Sequence, residues 1–157
     1  MRDKGFVAVH RGGPLTKNNH RKLLRWARAC SEHVLPLFKG EVDPRLVQAL
    51  QVAEAWENGK VKTGVAMKAS LDAHAVARES PDPTSTAVAR SVGQAVATAH
   101  MADHSLGAAL YALKAVKHAG KSIEAEREWQ VEQLGQLPPE IVDLVITTLK
   151  KKENHPP

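Results

Sequence analysis

One cysteine, Cys30, is the chain's whole thiol content, so no internal disulfide can staple it. Aromatic residues are scarce too, at 4%, and they do not alternate with the basic residues as the stacking platforms of single-stranded nucleic-acid binders require. No apolar run approaches the roughly 20 residues that a membrane-spanning helix needs. Met1-Arg2-Asp3-Lys4-Gly5 is not followed by the apolar core of a secretory signal, so residence in the cytoplasm is expected. Familiar catalytic signatures are also missing. Arg11-Gly12-Gly13-Pro14 has neither the Lys-Ser/Thr ending nor the preceding strand of a phosphate loop. Ser91-Val92-Gly93 and Ser105-Leu106-Gly107 lack the strand–turn–helix setting of a nucleophile elbow. There is no dinucleotide fingerprint and no paired-carboxylate motif, and Cys30 lies on an apolar stripe where a thiol is inert. No converging set of catalytic residue types remains, and neither a cofactor nor a metal is expected.

What the chain does have is alanine and charge. With 43% hydrophobic and 25% charged residues over 157 positions, it has the balance and length of one globular domain, residues 1–157. Alanine lets helices approach closely, yet each one buries little area, so such a core needs extensive helix–helix contact. Lys and Arg number 22 against 17 Asp and Glu, a formal charge of +5. The excess gathers at Arg2, Lys4, Arg11, Lys17, Arg21, Lys22, Arg25 and Arg28, and again at Lys150-Lys151-Lys152. A basic balance admits a nucleic-acid partner, but a solvated surface accounts for it more simply.

The apolar spacing predicts an all-α bundle of about six or seven amphipathic, Ala-rich helices. Residues 1–15 read as irregular, and Phe6-Val7-Ala8-Val9 is a short strand candidate without an obvious partner. Thr16 caps a first helix that buries Leu23, Leu24, Ala27, Cys30 and Val34, and Pro36 ends it. Asp43-Pro44 starts a second, with Leu46, Val47, Leu50, Ala53 and Trp56 inward and Asn58-Gly59 as its stop. Thr63 caps a third, which runs to about Glu79. After Ser80-Pro81-Asp82-Pro83 a fourth carries Val88, Val92 and Val96. A break near residue 103, capped by Asp103 or Ser105, separates it from a fifth that ends at Gly120. Ser122 caps a sixth with Ile123, Trp129 and Leu134 inward and its Glu and Arg residues outward. The seventh spans Glu140 to Lys150, and residues 153–157 are expected to be a disordered tail.

The densest polar cluster joins His100, Asp103 and His104 with Asp72, His74 and Arg78. If the helix ran on, His100 and His104 would share a face at a spacing that suits two metal ligands, with His74 or Asp72 needed to complete the set. A metalloprotease places Glu directly after its first His, and here Met101 stands there. The preferred reading is a polar network of His74, Arg78, His100, Asp103 and His104 that fixes the registry of slippery small-residue packing. Arg78 is expected to pair with Glu79 or Asp72. Trp26, Trp56 and Trp129 read as core anchors, and Trp26, beside Arg25 and Arg28, is the one best placed to meet a partner instead.

Three stretches carry a resemblance: Arg11-Gly-Gly-Pro-Leu-Thr16, Lys68 to Arg78, and Ala95 to Val116, whose most specific part is His100 to Tyr111. From about residue 3 to 150 the chain resembles a family of bacterial immunity proteins, the immunity-five-like domain, associated with polymorphic toxin systems. The resemblance implies an all-helical cytoplasmic protein that binds a cognate toxin domain and blocks it without catalysis; it carries over no catalytic residues. Immunity proteins against nucleases are often acidic whereas this chain is basic, so either the toxin is not a basic nuclease or the binding face is a local acidic patch such as Glu124, Glu126, Glu128 and Glu132 on the sixth helix; Trp26, Glu124 and Glu128 are the candidate partner surface. Two readings compete with it. One is a small metal-dependent enzyme using His74, His100 and His104. The other is a basic helical protein associated with nucleic acid.

Overall fold

The computed structural model describes residues 3–154. It contains seven α-helices and no strand among the described residues: α1 (Lys17–Val34), α2 (Pro44–Glu57), α3 (Thr63–Glu79), α4 (Pro83–Ala97), α5 (His104–His118), α6 (Ile123–Gln133) and α7 (Pro139–Asn154). Single 3-10 turns lie at Lys4–Phe6, Val9–Arg11, Leu35–Leu37 and Leu134–Gln136. The N-terminal segment is tied down locally, because Leu15 donates to the Val7 carbonyl at 3.0 Å and Val9 donates to the Leu15 carbonyl at 2.9 Å. Leu15 is thus the partner that the Phe6–Val9 run lacked in sequence.

Helix α4 is the hub, packed by α3, α5, α1 and α2. Its sequence explains this. Apart from Arg90 and Gln94, no side chain between Pro83 and Ala97 is larger than Val, so four neighbours can approach its backbone. One core cluster joins α1 to α4 through Leu24, Leu46, Leu50, Trp56, Val92 and Val96. A second joins the N-terminal segment, α1, α5 and α7 through Phe6, Leu23, Trp26, Leu106, Ile141 and Val145. A third packs Val34 and Val88 against Ala112 and Val116.

Several local expectations need correction. Val47 is 41% exposed, because the inward face of α2 follows Leu46, Ala49, Leu50 and Ala53. Lys62, not Thr63, holds the N-cap position of α3 and supplies no side-chain cap; the Thr63 hydroxyl instead accepts from Trp56 Nε1 at 3.1 Å. Neither Asp103 nor Ser105 caps α5 with its side chain: Asp103 is αR, and the Ser105 hydroxyl donates back to the Ala102 carbonyl at 2.7 Å. Trp129 is half-buried rather than a core anchor, and it stacks on His33 with ring centroids 3.6 Å apart. Glu126 points inward, not outward: it is buried and accepts from His33 Nδ1 at 2.6 Å. Helix α7 runs four residues past Lys150 to Asn154, and Glu153, assigned to the disordered tail, pairs with Arg127 at 2.6 Å. The rest of that tail, residues 155–157, lies outside the described residues, as does Arg2.

Candidate functional site

The break between α4 and α5, expected near residue 103, spans residues 98–103, and it separates His100 from His104. His100 is half-buried in this turn, where its Nε2 faces Arg11 Nη2 at 3.4 Å. His104 opens α5, and its Nδ1 lies 2.8 Å from Gln94 Oε1. On α3, His74 Nδ1 accepts from Arg90 Nη1 at 2.8 Å. Burial, and then the charge of Arg90, lower the His74 pKa, with smaller contributions from Arg78 and His104. Asp72 and Arg78 are both exposed on α3, and Glu79, an expected partner of Arg78, is held in a two-pronged pair by Arg45 at 3.0 and 3.1 Å. The structure therefore brings His74 and His104 into one neighbourhood on α4 and puts His100 against the N-terminal segment. No three His, Cys, Asp or Glu side chains among the described residues converge as a metal site.

Arg90 and Gln94 complete this network, and sequence reading missed both. Their signal was glycine within helices. A Cβ on Gly93 would come within 2.7 Å of the His74 ring, and one on Gly107 within 2.7 Å of Gln94 Oε1. Each glycine is a notch cut for a polar side chain of the neighbouring helix.

Other interior polar groups tie helix to helix. The Ser31 and Ser91 hydroxyls are 2.8 Å apart, and Ser91 donates onward to the Ala108 carbonyl at 2.7 Å, which links α1, α4 and α5. Ser70 donates to the Gly93 carbonyl at 2.9 Å. Gln130 Nε2 donates to the Ala109 carbonyl at 3.0 Å, while the Gln130 carbonyl accepts from Trp26 Nε1 at 2.8 Å. Trp26 is only 2% exposed, so it anchors α1 to α6 and is not available to a partner. Glu124, Glu128 and Glu132 are exposed along α6, whereas Glu126 is withdrawn to His33. Cys30 is fully buried, and that burial raises its thiol pKa well above the ordinary value.

A sizeable concavity lies elsewhere. A cleft of about 840 Å³ opens between the N-terminal segment, the start of α1, Trp56 at the end of α2, Thr63, and the turn carrying Ala99 and His100. A second lobe of about 460 Å³ shares Lys17, Trp56 and Thr63 with it and extends along residues 59–62 to Arg21. His20 builds the wall. It is 5% exposed, its Nε2 donates to the Thr98 carbonyl at 2.5 Å, and its ring lies 5.0 Å from that of Trp56. Burial is the main cause of its lowered pKa, with nearby His10, Lys17 and Arg11 adding to it, so the charged form of the ring is disfavoured. Three and four residues before Leu23 and Leu24, His20 shares their inward face, a spacing from which it was readable.

Residues 13–137 match the family described as Imm-5 like putative immunity protein. The chain belongs to that family. The match spans α1 to α6 and leaves out Arg11-Gly12 and all of α7, so it is narrower than the resemblance drawn over residues 3–150. No curated protein and no solved structure matches the chain. No helix among the described residues is long and apolar enough to cross a membrane.

Proposed function

We propose that this chain works in the cytoplasm as one domain that binds a cognate bacterial toxin domain and neutralises it by occlusion, without catalysis. Membership in the immunity family over residues 13–137 is the observation that carries this reading. The interior polar chemistry supports it. Ser31, Ser70, Ser91, Gln130 and Trp26 are engaged in bonds between helices, which is what registry in an Ala-rich bundle requires. The proposed partner face is the outer stripe of α6, where Glu124, Glu128 and Glu132 recur every four residues in solvent. Such a stripe complements a basic toxin surface and would speed encounter with it.

The test pairs the chain with its toxin domain. Cells producing the toxin should survive when the chain is co-produced, and purified toxin should be inhibited with an endpoint at equal molar amounts. Failure to protect, or to form a complex, overturns the assignment. Protection at amounts far below the toxin's would show turnover and overturn occlusion. Reversing charge at Glu124 and Glu128 (to Lys) should slow association; an unchanged rate would remove α6 from the interface.

A further inference from the structure

We propose that the cleft between the N-terminal segment, α1 and the α2–α3 loop binds a small phosphate-bearing ligand of about nucleotide size. The proposal does not rest on toxin binding. Each lobe falls within the volume range of sites that enclose small molecules, and the two adjoin, sharing Lys17, Trp56 and Thr63 in their walls.

The charge in the cleft has one sign. Arg11, Lys17, Arg21, Lys60 and Lys62 line it, and among the described residues neither lobe is lined by an Asp or Glu. This is not the habit of the molecule. Arg25 and Arg28 are matched to Glu57, Arg45 to Asp43 and Glu79, and Arg127 to Glu153. Cations gathered in a concavity with low-dielectric walls focus their field on whatever enters. Arg21 is the most telling of them. Its Nε is shielded from solvent and has no hydrogen-bond partner among the described residues, and its guanidinium lies against Gly59, where a Cβ would come within 3.2 Å of Nη2.

Phosphate fits this set better than a lone carboxylate. Five cations exceed what one carboxylate can balance, and a guanidinium fork matches tetrahedral oxyanions. The first turn of α3 also opens beside the cleft without a side-chain cap, so its amides add donors for the same charge. Val9, Leu15, Trp56 and Ala99 add apolar lining that offers a seat for a ring or sugar. A small ligand is favoured over a polymer because the concavities have the volumes of small-molecule sites and Trp56 is the one Phe, Trp or Tyr among their lining residues, too few for successive bases to stack on.

The experiment titrates the full-length protein with inorganic pyrophosphate, with ATP and with a short single-stranded DNA of random sequence, followed by calorimetry. The expected result is one saturable ATP site per chain that weakens as salt rises, with pyrophosphate competing for it. Arg21→Gln and the exposed Lys17→Gln should each weaken binding about tenfold or more. Lys114→Gln, outside the cleft, should leave it unchanged, and thermal melts should show all three variants folded. Absence of saturable binding by either phosphate probe up to millimolar concentration overturns the proposal. So does equal weakening by Lys114→Gln, or DNA binding tighter than ATP and sensitive to the same cleft substitutions, which would assign the cleft to nucleic acid.

Discussion

Ser91 should matter more than Ser31 although the two hydroxyls touch. Both residues are fully buried, and the bonds run in one direction, from Ser31 to Ser91 to the Ala108 carbonyl. Ser31→Ala removes only the first donor, and Ser91 keeps its bond to α5. The expected cost is that of one neutral hydrogen bond, about 0.5–1.5 kcal/mol. Ser91→Ala removes both links and leaves the Ser31 hydroxyl without its acceptor in a dry interior. The cost should rise to about 1–3 kcal/mol, moderated because a helical serine can turn back to the carbonyl four residues earlier.

Urea unfolding followed by circular dichroism measures all of these variants, and at this chain length each kcal/mol moves the melting temperature by about 2–4 °C. The double variant should cost about as much as Ser91→Ala alone, because its second change removes a group that the first had already orphaned. That corresponds to a coupling of about 1 kcal/mol between the sites. Simple additivity, or a Ser31→Ala cost equal to that of Ser91→Ala, would refute the claim that this directed chain fixes the registry of α1, α4 and α5.

Gly93→Ala drives a methyl group into the His74 ring and should destabilise by about 1–3 kcal/mol, whereas Gly64→Ala, which meets open space near the start of α3, should be neutral or gain up to about 1 kcal/mol; urea midpoints compare them. Cys30 should resist a disulfide reagent in the native protein and react fully once urea unfolds it, since burial both shields the thiol and suppresses the thiolate; prompt native labelling would contradict the packing of α1. Stability should fall on acidification. His20 and His74 have folded pKa values lowered mainly by burial, so the unfolded chain, titrating near 6.5, binds more protons; their contribution is complete above about pH 6.5 and is lost as pH drops through that value toward the folded ones. Urea midpoints between about pH 7 and pH 5 should decline, and His20→Gln should reduce the slope; a midpoint that rises on acidification would refute the assignment.

The helices were legible because their signals are local. Thr16, Asp43 and Ser122 cap where their residue types say they should, and the stripe from Leu23 to Val34 is buried throughout. The polar network was only half legible. His74 and His104 stood out as unusual residues among alanines, but nothing in the local pattern singled out Arg90 and Gln94 on α4. What decides their role is the neighbouring backbone admitted by Gly93 and Gly107, a property of two helices at once. Trp26 is the core anchor that its helix pattern predicts; the flanking arginines that suggested a partner surface do not make it one, because the indole turns inward to the Gln130 carbonyl. The cleft was illegible for the same reason: Arg11 and Arg21 are far in sequence from Trp56 and Lys62, and only the fold brings the N-terminal segment, α1 and the α2–α3 loop around it.

The formal charge of +5 therefore describes neither of the two proposed binding surfaces. Carboxylates are consumed where they hold elements together: Glu57 is buried beneath Arg25 and Arg28, Glu126 is buried against His33, and Glu79 and Glu153 clamp distant segments. That consumption leaves two unbalanced regions, an acidic stripe along α6 and a basic cleft around Lys17. A basic immunity-family chain can thus present an acidic face to a partner, because net charge sums over regions that a partner never sees together. Electrostatic attraction is felt within about a Debye length, roughly 8 Å at physiological salt, so the local patch and not the sum sets which surface an approaching partner meets.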